Sequence, residues 1–141
     1  MLTRRALLSG MAAAVMLAAA AGCYWLRYAD LARTHVELLE RLALDARDAM
    51  AAGHRLSNSD IETMQYPLER ADQFARISDR QDPPASLVAM RETIEAYRQM
   101  VELLDRLRVA EASDEDRARV DELAKKVSAS ARRTVAALEE E

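Results

Sequence analysis

The chain has 141 residues, with three Gly, three Pro, one Cys and 4% aromatic residues. Ala and Leu together number 46, whereas Val and Ile number 11. Strands favour β-branched and aromatic residues and turns favour Gly and Pro, so the composition argues against sandwiches, barrels and doubly wound sheets, and for one helical domain. A single cysteine excludes an internal disulfide framework, a Cys₄ zinc site and an iron–sulfur cluster.

In chain order, the first element is an address. Arg4 and Arg5 form a short basic region, and Ala6 to Gly22 carries no charge. The stretch closes on Ala20-Ala21-Gly22-Cys23, small residues ahead of the only cysteine. This tripartite pattern resembles a bacterial lipoprotein signal peptide with its lipobox. The resemblance implies cleavage after residue 22, lipid on Cys23 and a mature chain of residues 23–141 outside the cytoplasmic membrane. Tyr24 follows the cysteine where inner-membrane lipoproteins of Gram-negative bacteria carry Asp, so the resemblance favours the outer membrane. An uncleaved anchor also fits, because Ala6 to Leu26 is 21 uncharged residues, about the length that spans a bilayer. Thr3-Arg4-Arg5-Ala6-Leu7-Leu8 further resembles a twin-arginine export signal.

Beyond the signal, residues 23–141 read as four amphipathic helices, at about 24–52, 60–80, 83–110 and 114–139. In the first, Trp25, Tyr28, Ala32, His35, Leu39, Leu42, Ala46 and Ala49 step by 3 and 4. Gly53 suits the position that closes its last turn. Ser59, with Glu62 three residues on, matches a capping box for the second helix. Pro67 interrupts that helix and predicts a kink, with room for a pocket beside Tyr66, or else a helix starting at Pro67. Asp82 is the expected cap of the third helix, with Pro83 at its first position. Leu87, Met90, Ile94, Tyr97, Val101, Leu104 and Leu107 form its inner stripe.

Ser113 is the expected cap of the fourth helix, and Val120, Leu123, Val127, Ala131, Val135 and Leu138 its inner face. Glu139, Glu140 and Glu141 oppose the helix dipole, so the last turn is expected to fray. Connections of roughly 4 to 8 residues turn each helix back on its predecessor. The expected fold is all-α, an antiparallel up-down-up-down four-helix bundle.

The residues offer little chemistry. There is no Glu-x-x-His for a di-iron site, no C-x-x-C-H for covalent haem, no G-x-S-x-G and no Gly-rich phosphate loop. His35 is the one weak metal or haem candidate, with a methionine as second ligand. Residues 23–141 hold 18 basic against 24 acidic residues, which argues against nucleic acid as a partner. The expectation is therefore a non-enzymatic envelope protein without a cofactor, acting as adaptor, pilot or inhibitory partner of another envelope protein. Tyr24, Trp25 and Tyr28 are its candidate membrane-interface or partner residues. An extracytoplasmic small-ligand-binding or sensory bundle is the alternative, and a haem- or metal-binding bundle the third reading.

Overall fold

The computed structural model describes the backbone from Arg4 to Glu141 and the side chains from Arg27 onward. The described residues form four helices and no strand, consistent with a four-helix bundle. These are α1 (Arg4–Ala51), α2 (Asn58–Ile77), α3 (Ala85–Leu107) and α4 (Asp114–Glu140). The chain divides into two compact units, Met1–Leu31 and Ala32–Glu141. The first contains the N-terminal part of α1; the second contains the rest of α1 and the other three helices. Among the described residues, no helix is long and apolar enough to cross a membrane. The expected signal peptide and lipobox lie outside the residues described in full.

Helix ends show where local chemistry decides the boundary. Gly53 adopts φ +80, the left-handed conformation that only Gly accepts without cost. The His54 N–H then donates to the Ala49 carbonyl at 2.9 Å and the Gly53 N–H to Met50 at 3.0 Å. This pair is the Schellman closure that the position of Gly53 anticipates. Helix α2 begins earlier than expected, and its cap is Ser57, not Ser59. The Ser57 N–H donates to Asp60 Oδ2 at 2.7 Å, and the Asp60 N–H returns a bond to Ser57 Oγ at 3.1 Å. Both serines have an acid three residues on, but the Ser57 register puts Leu56 and Ile61 at the staple positions. Ser59 falls inside the helix, where its carbonyl accepts the Thr63 hydroxyl.

The expected start of α3 is also corrected. Pro84 occupies the cap position, with ψ 157, and Ala85 is the first helical residue. Pro83 cannot lead the helix because the following Pro84 pushes it out of the α region. Pro84 has no side-chain cap to offer, and Glu141 supplies one from the far end of α4. Its carboxylate accepts the Ser86 N–H at 3.1 Å and the Ser86 hydroxyl at 2.6 Å. A carboxylate there meets the positive end of α3. Helix α4 runs to Glu140, and Glu141, just beyond it, is the residue that docks on Ser86. Ser113 caps α4 as expected, within a capping box completed by Asp116.

Apart from Tyr28, the buried apolar side chains described lie in the second unit. Helix α3 contributes most, with twelve buried residues, among them Leu87, Met90, Tyr97 and Leu104. From α4 come Val120, Leu123, Val127, Ala131 and Leu138, and from α2 Ile61, Met64, Ala71 and Ala75. Between Ala32 and Ala46 the buried stripe of α1 is Ala32, Val36, Leu39, Ala43 and Ala46. The expected stripe is thus rotated, with Val36 and Ala43 inside and His35 and Leu42 at the edge. Small side chains on both helices bring α3 and α4 together. At their contact the Thr93 hydroxyl donates to Ser130 Oγ at 2.8 Å, and Ser130 donates onward to the Lys126 carbonyl at 2.7 Å.

Helix α2 runs unbroken through Pro67. The missing proline N–H leaves the Thr63 carbonyl without its helical donor. One carbonyl further on, Met64 accepts the hydroxyl of Tyr97 from α3 at 2.9 Å.

Candidate functional site

A cavity of about 370 Å³ in the second unit lies where the 52–57 and 108–113 connections meet. Its walls come from the Schellman turn at Gly53, the C-terminal turn of α3 and the first turn of α4. Met50, Leu56 and Leu107 are half-buried and form an apolar floor. Arg55, Arg108 and Arg117 stand around it with His54, and Glu111 also lines it. Arg108 Nε donates to Asp105 at 3.3 Å and Arg117 Nη1 lies 3.5 Å from Asp114. Arg55 has no hydrogen bond or ion pair among the described residues. The arrangement presents guanidinium donors beside hydrocarbon, a surface that suits an anion with an apolar part.

The residues singled out from the sequence are dispersed. Tyr66 is 62% exposed, with the Arg70 guanidinium 5.8 Å from its ring centre and a 3.4 Å bond from Arg70 to its hydroxyl. Tyr66 does not line the cavity. Tyr28 is buried. Cys23, Tyr24 and Trp25 lie outside the residues whose side chains the structure describes. Arg108 and Arg117 carried no motif; two arginines near helix ends are ordinary in sequence, and only the meeting of the connections gives them a common cavity.

His35 lies against Phe74 of α2, with ring centres 5.1 Å apart and the rings tilted by 38°. Burial and the neighbouring Arg70 charge hold its imidazole below its ordinary pKa of 6.5, so the neutral ring is favoured. Among the described residues, no three His, Cys, Asp or Glu side chains gather around a common point that would hold a metal ion. Burial drives the Tyr97 hydroxyl far above the ordinary phenol value, and it remains a donor.

The outer faces are ionic. Asp72 binds Arg76 at 3.0 Å on its own helix and Arg98 of α3 at 3.1 Å. Glu40 of α1 accepts the Ser128 hydroxyl at 2.6 Å and lies 3.7 Å from Arg132. Their cations stay partly in solvent, where such pairs contribute little to stability. No protein-family model, curated protein or solved structure matches the chain.

Proposed function

We propose that the protein is a bacterial envelope lipoprotein, anchored through lipid on Cys23, whose helical domain is a non-enzymatic adaptor, pilot or inhibitory partner of another envelope protein. One observation carries the anchoring: the chain's single cysteine stands directly behind Ala20-Ala21-Gly22, at the end of an uncharged segment led by two arginines. The four helices run up-down-up-down in this reading. Residue pairings support it, because Arg33 meets Glu139 while Glu40 meets Ser128. Likewise Ser86 meets Glu141 while Thr93 meets Ser130. In both pairs of helices, one number rises as the other falls.

Tyr24 and Trp25 follow the acylated cysteine and are placed at the headgroup level, where amphipathic rings are at home. The net acidic charge of residues 23–141 turns the protein toward protein partners rather than anionic lipid or nucleic acid.

Labelling cells with a palmitate analogue tests the anchor. Label is expected on the natural chain and absent from Cys23→Ala, with the natural chain in outer-membrane fractions on a density gradient. Label that persists in Cys23→Ala, or never appears, overturns lipidation. Crosslinking in intact envelopes is expected to trap a reproducible envelope protein through Tyr24, Trp25 or the exposed helix faces. Failure to recover one overturns the adaptor role.

A further inference from the structure

The cavity between the 52–57 and 108–113 connections is separate from the anchor and does not depend on it. Its volume, about 370 Å³, falls within the range of small-molecule sites, roughly 300–1,000 Å³. Three arginines from three different segments line it: Arg55 from the first connection, Arg108 from the end of α3 and Arg117 from the start of α4. Arg108 spends only Nε on Asp105 and Arg117 only Nη1 on Asp114, so both keep donors for another acceptor. Arg55 holds no acceptor among the described residues.

Two features narrow the ligand. Asp105 and Asp114 already pair with Arg108 and Arg117, and Glu111 also lines the cavity, so a single negative charge suits it better than a highly charged anion. The floor of Met50, Leu56 and Leu107 offers hydrocarbon, which a bare inorganic anion leaves unused.

We propose that this cavity binds a small monocarboxylate with a short apolar body, the carboxylate held by Arg55 and Arg117 and the body lying over Met50, Leu56 and Leu107. A carboxylate presents two oxygens to the planar fork of a guanidinium, a match that an alcohol lacks.

Titration calorimetry on the full chain in detergent tests this, with hexanoate as probe, hexanol and inorganic phosphate as comparisons and a detergent blank subtracted. Saturable hexanoate binding is expected, weakened about tenfold or more by Arg55→Gln and by Arg117→Gln, as for loss of a hydrogen bond to a charged group. Arg119→Gln, an exposed arginine outside the cavity, is expected to leave it unchanged. Circular dichroism confirms that each variant is folded. No saturable hexanoate binding, or binding indifferent to both cavity substitutions, overturns the site. Hexanol or phosphate binding as tightly as hexanoate overturns the assigned ligand class.

Discussion

Tyr97 is the largest fully buried side chain among the described residues, and its hydroxyl donates to the Met64 carbonyl in the helix that contains Pro67. Tyr97→Phe removes that donor and leaves a buried carbonyl with one bond fewer. A loss of about 1–2 kcal/mol is expected in urea unfolding. The sequence put Tyr97 on an inner stripe and marked Pro67 as a disturbance, but their link was not legible. Tyr97 and Met64 are 33 residues apart, and no spacing rule joins a phenol to a carbonyl across helices. His35 is a second case. Its folded pKa lies below the unfolded value of about 6.5, so the unfolded chain binds the proton more readily. Stability is therefore expected to fall as pH drops below about 6.5, and the added loss to stop once pH is below the folded pKa. Unfolding curves from pH 7 to 5 check this. A His35→Gln variant should lose less stability than the natural chain over that interval.

Among elements, the ends of helices separate what is written locally from what is not. Gly53 and Ser113 act where a local reading places them, because their partners lie within five residues. For α2 the local signal was degenerate: two serines, each with an acid three residues on, competed for one cap. The chosen register predicts that Ser57→Ala costs about 1 kcal/mol, while Ser59→Ala changes stability by less than half as much in the same denaturation assay. The cap of α3 was invisible, since Glu141 reaches Ser86 across 55 residues. Glu141→Gln is expected to lower the melting temperature, and Glu141→Ala to lower it further by removing both bonds to Ser86. Scanning calorimetry distinguishes the two. The capping acids add a second acid dependence. Bonds from Ser57 and Ser113 hold the Asp60 and Asp116 carboxyls below their ordinary value of 3.8. Their contribution is intact above that value and lost as pH falls through the lower folded pKa values.

At the scale of the whole molecule, composition and 3/4 spacing made the helical class and most of the inner faces readable. The cavity was not readable, because it belongs to two connections that only tertiary packing brings together. The slip in α1 has a related cause: Ala and Leu flank each other so often there that several stripes satisfy the period. Helix α3, with twelve buried residues, should be the last part to open. Hydrogen exchange read by mass spectrometry is expected to be slowest in the middle of α3 and in the facing stretch of α4 around Ser130, and faster in α2. The Thr93–Ser130 contact also works as an index mark. Sliding α4 by one turn along α3 would break the bond between the two hydroxyls and leave each only a carbonyl of its own helix, so the observed depth of engagement is the one that adds this bond across the hairpin. The spacing between Arg108 and Arg117, at the tip of that hairpin, thereby depends in part on two hydroxyls midway along its shaft.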